Sequence, residues 1–294
     1  MTECCPLPAE PAVRHRFVQT DRVRLHVAET GEGPPVLLLH GWLQHWWAWR
    51  RVLPTLAPRH RVICMDLRGF GWSDAPKHGY RTADLAQDVL SLLDALDVDR
   101  TIVVGHDVGG RVGFQVALQA PERVGGLVTL NALHPFWRFR SVAPHAWRYG
   151  WTPAVETSGV GRLLLRRAPA LTRIIFRLGH ARGVLTAEEV AQYESAVRRP
   201  EYARAAERVM HEVAYHEVLP SLFGAQRGKR LTVPTLMLHG TRDLTRTAGS
   251  LGGFEGRADD LRVRILDGAG HWLPEERPED VATAVHEVSA LSLA

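Results

Sequence analysis

The fold is decided by the stretch Thr101-Ile102-Val103-Val104-Gly105-His106-Asp107-Val108-Gly109-Gly110. Its first four residues are apolar or β-branched, which favours a buried strand, and Arg111–Ala120 behind it has a helical pattern. The glycines between them allow a sharp turn and the close approach of a helix to a strand. This order of strand, tight turn and helix is typical of a nucleophile elbow, which projects its apex side chain into a cleft. The apex residue here is Asp107.

An aspartate at the apex predicts a particular chemistry. A carboxylate is already ionised at neutral pH, so it can attack a saturated carbon without help from a base. The product would be an ester on the side chain of Asp107, and cleavage of that ester by water does require a base. The sequence should therefore also supply a histidine, an acid that orients it, and backbone N–H groups that stabilise an oxyanion.

Two loops further along the chain carry the acid and the histidine. Asp243 follows the predicted strand Thr235–His239, and His271 lies in a glycine-rich loop after the predicted strand Val263–Leu266. Ligand sites of open α/β sheets gather at the carboxyl ends of the strands, where both side chains can reach Asp107. The order nucleophile, acid and histidine, each after its own strand, is typical of proteins with this elbow. We therefore predict that Asp243 orients His271 and that His271 activates a water molecule.

The loop His40-Gly41-Trp42 follows the predicted strand Val36–Leu39. A glycine at the end of a strand lets the backbone approach a ligand, and we predict that the N–H groups of Trp42 and Val108 form an oxyanion hole. The alternative is an ordinary turn between a strand and a helix. The later loop Asp66–Ser73 is predicted to be structural, because its charged residues can brace it and its glycines supply turns.

The composition narrows the classes of protein to consider. The chain has 294 residues and 45% hydrophobic content, enough for one large α/β domain with or without an insertion. No apolar run reaches the length of a membrane span, and no secretory signal pattern opens the chain, so we expect a cytoplasmic protein. The three cysteines give neither a disulfide framework nor a metal-ligand spacing, and we expect no metal and no cofactor.

The net charge is +4, and the charged residues are dispersed along most of the chain, so we expect no nucleic-acid partner. One basic cluster lies between Arg162 and Arg182, where arginines alternate with leucines and isoleucines. This pattern predicts two helices with a solvated basic face. Association with an anionic membrane surface is the less favoured alternative for the cluster.

Strand-like runs alternate with helical patterns, which predicts a mostly parallel sheet covered by helices on both faces. The first strands are predicted to form an antiparallel hairpin. No strand pattern occurs between about residues 134 and 228, which predicts a helical cap over 134–228, inserted between core segments 1–133 and 229–294. The predicted strands are Val23–Val27, Val36–Leu39, Val62–Met65, Thr101–Val104, Leu127–Leu130, Thr235–Leu238 and Val263–Leu266, and the predicted core helices are Ala83–Leu96, Arg111–Ala120 and Pro278–Leu291.

On the elbow Gly105–Gly110, the His40-Gly41 pair and the order Asp107, Asp243, His271, the chain resembles the α/β-hydrolase superfamily over nearly its whole length. The aspartate at the apex makes it similar to the branches that contain epoxide hydrolases, haloalkane dehalogenases and haloacetate dehalogenases. The resemblance implies an α/β-hydrolase fold with an eight-stranded, mostly parallel sheet, helices on both faces and an inserted helical cap.

The resemblance implies different residues for each branch. Haloalkane dehalogenases usually hold the halide with a tryptophan directly after the nucleophile, where this chain has Val108. Fluoroacetate-type dehalogenases usually carry arginines there and three residues later, and only Arg111 matches. Epoxide hydrolases use two cap tyrosines as hydrogen-bond donors. Tyr215 resembles the second, and Tyr149 lies in about the region of the first. Their usual His-Gly-x-Pro lacks its proline here, with Leu43 in that place.

The resemblance therefore implies an epoxide hydrolase that converts an apolar epoxide to a vicinal diol. The enzymatic alternative is a haloalkane or haloacid dehalogenase that uses the same three residues, Asp107, Asp243 and His271. The second alternative is a member of the fold that binds a small ligand without catalysis. The expected partners are a small apolar substrate and water, and the oligomeric state stays open, with a homodimer as one option. The residues expected to line the substrate pocket are His40, Trp42, His106, His134 and Trp151.

Overall fold

An eight-stranded sheet lies at the centre of the structure, a computed structural model. The structure describes residues 7–10, 12–179, 184–222, 228–245 and 247–292, without the side chains of Ala146, Tyr149, Pro169, Leu222 and Ala248. Cys4 and Cys5 lie outside the described residues. The strands are β1 (Arg14–Gln19), β2 (Arg24–Thr30), β3 (Pro35–Leu39), β4 (Arg61–Met65), β5 (Thr101–His106), β6 (Val124–Leu130), β7 (Thr235–Gly240) and β8 (Leu261–Leu266).

The strand order across the sheet is β1-β2-β4-β3-β5-β6-β7-β8. Strands β3 to β8 run parallel, and β1 and β2 form an antiparallel hairpin at one edge of the sheet. Strands β5, β6 and β7 are buried along their whole length, as is typical of parallel strands covered on both faces. Strand β1 is a mostly exposed edge strand with the polar sequence Arg14–Gln19. Because it contains no apolar run, the sequence pattern does not predict it.

Helices cover the sheet on both sides. The α-helices are α1 (Leu53–Leu56), α2 (Thr82–Ala95), α3 (Val108–Gln119), α4 (Phe139–Val142), α5 (Thr152–Glu156), α6 (Val160–Arg167), α7 (Pro169–Gly179), α8 (Ala187–Val197), α9 (Pro200–Val213), α10 (Leu219–Leu222), α11 (Leu273–Glu276) and α12 (Pro278–Ser292). Short 3₁₀ segments cover Trp46–Trp49, Pro121–Arg123, Ala143–Tyr149 and Ala248–Leu251, and one π-helical turn covers Ala214–Val218.

Alternate residues of each strand pack against different helices, because successive side chains of a strand point to opposite faces. Leu37 of β3 belongs to the core cluster that contains Val89 of α2 and Val112 of α3. Its neighbour Leu38 belongs to the cluster on the other face, which contains Val285 of α12. The predicted α/β-hydrolase fold, with a mostly parallel sheet between two helical layers, is therefore confirmed.

Helices α4 to α10 lie between β6 and β7, where the described residues add one isolated bridge between Leu231 and Ala258. Helix α9 rests on the loops after β3 and β4. The Trp42 indole N–H donates to the Ala206 carbonyl at 3.0 Å, and the Tyr202 hydroxyl donates to the Ser73 carbonyl at 3.1 Å. Helix α9 thus covers the carboxyl ends of these strands, whereas the cap limits 134 and 228 remain a prediction.

None of the described helices has both the length and the apolar character to cross a membrane.

Helix α3 starts directly at the end of β5 and packs tightly against the sheet. A Cβ added at Gly109 would lie within 3.0 Å of the carbonyl oxygens of Leu39 and His40. A Cβ added at Gly105 would lie equally close to the Gly109 carbonyl. Because real side chains do not fit in such gaps, only glycine at both positions allows this approach of helix to strand.

Replacing Gly109 by alanine is therefore expected to destabilise the protein. The atoms that its Cβ would meet belong to the backbone of β3 and the following residue, which cannot rotate away. We expect the free energy of unfolding to fall by about 1–3 kcal/mol, as at other overpacked core positions, measured by urea or thermal unfolding. Gly228→Ala is the matched control, because none of the described residues has an atom within 4 Å of its added Cβ. Equal stability of the two variants would contradict this description of the elbow.

Candidate active site

Asp107 occupies the single residue between β5 and α3. Its backbone has φ 48° and ψ −109°, a conformation that costs free energy in a non-glycine residue. The Asp107 N–H donates to the carbonyl of Leu130 at 3.0 Å, which fixes the turn to the end of β6. The side chain that the sequence places at the apex is thus held in a strained turn, which is typical of functional positions.

One of the two backbone N–H groups predicted to form an oxyanion hole lies beside this carboxylate. The Trp42 N–H lies 3.3 Å from Asp107 Oδ2. Val108 is the first residue of α3, and the first N–H groups of a helix have no acceptor within it. The loop before Trp42 packs closely, because a Cβ on Gly41 would lie 2.6 Å from His106 Nδ1. An oxygen of Asp107 therefore faces the Trp42 N–H, and the oxyanion hole of Trp42 and Val108 remains a prediction.

The structure brings the predicted acid and histidine together. His271 Nδ1 lies 3.2 Å from Asp243 Oδ1, and both side chains are buried. The Thr245 N–H and hydroxyl both donate to the same Asp243 oxygen, at 2.7 and 2.8 Å. A proton held on Nδ1 by Asp243 leaves Nε2 of the neutral imidazole free of a proton and able to accept one. The His271 ring lies 5.0 Å from that of His106, the neighbour of Asp107.

Asn131 is the residue that the sequence analysis missed. It follows β6 with a left-handed backbone (φ 45°), and its amide donates to the carbonyls of Gly270 and His271, each at 2.8 Å. Its Oδ1 accepts the Gly240 N–H at 3.0 Å. One amide thus joins the end of β6 to the acid loop and to the histidine loop. Its position at the end of a buried strand was the available signal, but its partners are more than 100 residues away in sequence.

Two of the histidines expected in the pocket, His40 and His106, instead support its walls. Both are fully buried, so the prediction that they line a substrate pocket is corrected. His40 accepts the Leu67 N–H at Nε2 (3.0 Å) and faces the Gly41 carbonyl at Nδ1 (2.8 Å). His106 contacts Gln44 Oε1 and the His271 carbonyl, each at 2.8 Å. Burial lowers the pKa of His40, and it lowers that of His106 to about 3.

His134 has a similar supporting role. It is fully buried at the start of the cap, where its Nδ1 accepts the Phe136 N–H at 3.1 Å and its Nε2 donates to the Leu251 carbonyl at 2.8 Å. Burial lowers its pKa to about 4. A neutral His134 with both ring nitrogens engaged joins the segment after β6 to the loop after β7. It also lines a pocket beside Arg111 and Glu217, so its contact with substrate remains a prediction.

The two tryptophans expected in the pocket lie near each other. The rings of Trp42 and Trp151 are 6.0 Å apart at an angle of 36°. Trp42 is buried, with its indole N–H on Ala206, and Trp151 keeps 38% of its surface exposed. Together they form an apolar surface beside the Trp42 N–H that faces Asp107.

The structure describes the side chain of one of the two predicted cap tyrosines, Tyr215, but not that of Tyr149. Tyr215 lies on the π-helical turn Ala214–Val218, is 53% exposed, and has its ring centre 4.5 Å from that of His211. Short π-helical turns occur frequently at functional sites. Tyr149 belongs to the 3₁₀ segment Ala143–Tyr149, but its side chain lies outside the described part of the structure. The roles of both tyrosines therefore remain predictions.

An ion pair fixes the π-helical turn to the core. Arg111 Nε donates to Glu217 Oε2 at 3.1 Å, and Arg111 Nη2 donates to the same oxygen. The Thr82 hydroxyl donates to the other carboxylate oxygen of Glu217. Arg111 is nearly buried, so its charge is neutralised within the protein. Arg111, which matches one of the two arginines usual in fluoroacetate-type dehalogenases, is thus paired with Glu217. The described residues contain no cluster of three His, Cys, Asp or Glu side chains that could hold a metal ion.

Known proteins similar to this chain match it over most of its length. A family model described as the alpha/beta hydrolase fold matches residues 34–278. The soluble epoxide hydrolase of Corynebacterium sp. (strain C12) is 29% identical over 280 residues, covering 92% of this chain and 94% of that protein. Epoxide hydrolase 4 of Homo sapiens is 27% identical over 280 residues, covering 90% and 75%. The structure of the epoxide hydrolase CorEH without ligand has a TM-score of 0.80 and 25% identity, covering 95% and 99%.

Proposed function

The chain belongs to the α/β-hydrolase family and is a hydrolase, and on this premise we propose that it converts an apolar epoxide to a vicinal diol through an ester on Asp107. The arrangement that carries the proposal is a carboxylate at the apex of the elbow, facing the Trp42 N–H at 3.3 Å. The pair of His271 and Asp243, with the His271 ring 5.0 Å from that of His106, supports the same assignment. The similarity to epoxide hydrolases supports the choice of this branch.

The first step forms the ester. One oxygen of Asp107 attacks an epoxide carbon, and the carbon–oxygen bond of the ring breaks. The electron pair stays on the epoxide oxygen, which takes a proton from a phenol that we assign to Tyr215, with Tyr149 as the second donor. A phenol suits this role because it is neutral at pH 7 and donates one hydrogen bond.

The second step cleaves the ester with water. His271 Nε2 takes a proton from water, and the water oxygen adds to the ester carbonyl carbon of Asp107. The N–H groups of Trp42 and Val108 stabilise the oxyanion. The acyl–oxygen bond then breaks, and the alkoxide takes the proton from His271 and leaves as the diol. The regenerated carboxylic acid releases its proton, which restores the Tyr215 phenol through solvent. One epoxide and one water thus give one diol.

No observation on the described residues favours dehalogenation over this reaction. The Trp42 indole N–H donates to Ala206 rather than to the pocket, and the aliphatic side chain of Val108 cannot hold a halide. Arg111 is paired with Glu217, so it is not available to clamp the carboxylate of a haloacid. The Trp42 and Trp151 surface instead suits an apolar epoxide.

Replacing His271 by glutamine is expected to stop the reaction after its first half. With styrene oxide as the substrate, the ester should accumulate on the peptide that contains Asp107, detected by mass spectrometry of quenched and digested protein. Ester hydrolysis should slow by about a hundredfold or more, as is typical when a general base is removed. Asp107→Asn should form no ester, because an amide does not attack the ring.

His286→Gln is the matched control, because His286 lies on α12 with its ring against that of His60. This variant should produce diol at the wild-type rate. Wild-type turnover by His271→Gln would contradict the assigned base. Absence of an ester on Asp107 in every variant would contradict the proposed function. Halide release from a panel of haloalkanes and haloacids, without diol formation from epoxides, would favour the dehalogenase alternative.

Replacing Tyr215 by phenylalanine is expected to slow ring opening by about a hundredfold, because the phenol proton donor is lost. The rate of ester formation in a rapid-quench experiment measures this step directly. Hydrolysis of the ester should keep its wild-type rate, since that step uses His271. An unchanged rate of ester formation would remove Tyr215 from the mechanism.

A further inference from the structure

The carboxyl end of cap helix α7 lies against the loop that carries His271. The His271 N–H donates to the carbonyl of Gly179, the last residue of α7, at 2.5 Å. The indole N–H of the next residue, Trp272, donates to the Phe176 carbonyl at 3.0 Å. The last carbonyls of a helix lack partners within it. Helix α7 thus supplies acceptors to two successive residues of this loop.

The peptide groups of His271 are held from two sides. The cap holds its N–H through Gly179, and the core holds its carbonyl, which faces His106 Nε2 and accepts from Asn131 Nδ2, each at 2.8 Å. Asp243 holds the imidazole. A shift of α7 relative to the sheet would therefore move the backbone of His271 while Asp107 stayed in the elbow.

Aromatic stacking makes this contact rigid. The Trp272 and Phe176 rings stack at 4.4 Å and 14°, and Phe176 stacks on Tyr193 of α8 at 4.9 Å and 2°. All three side chains are buried. The Tyr193 hydroxyl donates to Glu275 of α11, and Glu275 lies 3.2 Å from a guanidinium nitrogen of Arg50. Trp272 and Glu275, which follow His271 in the chain, are thus connected to α7 and α8.

The contact requires glycine at position 179. A Cβ there would lie 2.6 Å from Trp272 Nε1 and 3.0 Å from Trp272 Cε2. An alanine would push the indole away from α7, and with it the peptide whose N–H binds the Gly179 carbonyl. The hydrogen bond to Phe176 and the stacking would be disturbed together.

We propose that the carboxyl end of α7 positions His271 for ester hydrolysis, with Gly179 and Trp272 as positioning residues for the second half-reaction. This inference rests on the proposed function, because it assigns the contact to one of its two steps. Ester formation depends on Asp107, whose N–H donates to the Leu130 carbonyl of β6, and on the phenol donor that we assign to Tyr215, on the π-helical turn after α9. A displaced His271 should therefore slow the release of the ester and leave its formation unchanged.

The test compares Gly179→Ala and Trp272→Phe with the wild type in rapid-quench reactions with styrene oxide, followed by mass spectrometry of the Asp107 peptide. Both variants should form the ester at the wild-type rate and hydrolyse it at least about tenfold more slowly, since small misplacements of a catalytic group have effects of this size or larger. In the steady state, kcat and KM should fall together while kcat/KM stays constant. Trp272→Phe keeps an aromatic ring next to Phe176 and removes the indole donor, so it supports the test if Gly179→Ala does not fold.

Gly249→Ala is the matched control, because among the described residues its added Cβ would meet only Thr247 Oγ1, at 3.9 Å. This variant should match the wild type in both steps. Equal slowing of ester formation and hydrolysis would indicate general damage and would overturn the step-specific role. Hydrolysis at the wild-type rate in folded Gly179→Ala and Trp272→Phe would overturn it as well. In both cases an ester on Asp107 of the wild type would leave the proposed function intact, whereas no ester in any variant would contradict the proposed function itself.

Discussion

The close approach of α3 to the ends of β3 and β5 is the constraint on which the site depends. Gly105 and Gly109 remove the side chains that would hold the helix away from the sheet. Only then can Asp107 adopt its left-handed turn with its carboxylate beside the Trp42 N–H. The free energy gained by burying the apolar side chains of the strands and helices offsets the strain of this turn. The core of the protein thus stabilises a backbone conformation that a short peptide would not hold.

The second requirement is that loops from distant parts of the chain meet at one edge of the sheet. Parallel strands bring their carboxyl ends to the same edge, which places the loops after β5, β7 and β8 together. Asn131 then fixes the relative positions of the last two loops through the Gly240 N–H and the carbonyls of Gly270 and His271. The proposed division of the reaction follows from this arrangement. The elbow presents the carboxylate, while His271 lies between the core and the cap.

Local signals allowed much of the fold to be predicted. Apolar runs and the glycine-rich elbow identified the buried strands and α3, since these patterns depend on neighbours in sequence. The polar edge strand β1 was missed because its residues have no such pattern. The pairing of Asp243 with His271 followed from the strand order. Sequence reasoning could not find the role of Asn131 or the burial of His40, because both depend on how separate loops pack.

In the proposed reaction, Asp107 forms a covalent bond to a carbon of the substrate. Water then releases Asp107 by attacking the ester carbonyl carbon of the Asp107 side chain. A single turnover of styrene oxide by excess enzyme in water enriched in heavy oxygen tests this most directly. Mass spectrometry of the product and of the peptide that contains Asp107 then locates the isotope. We expect heavy oxygen in the Asp107 carboxylate and none in the first diol formed. Heavy oxygen in that diol, with an unlabelled Asp107, would contradict it.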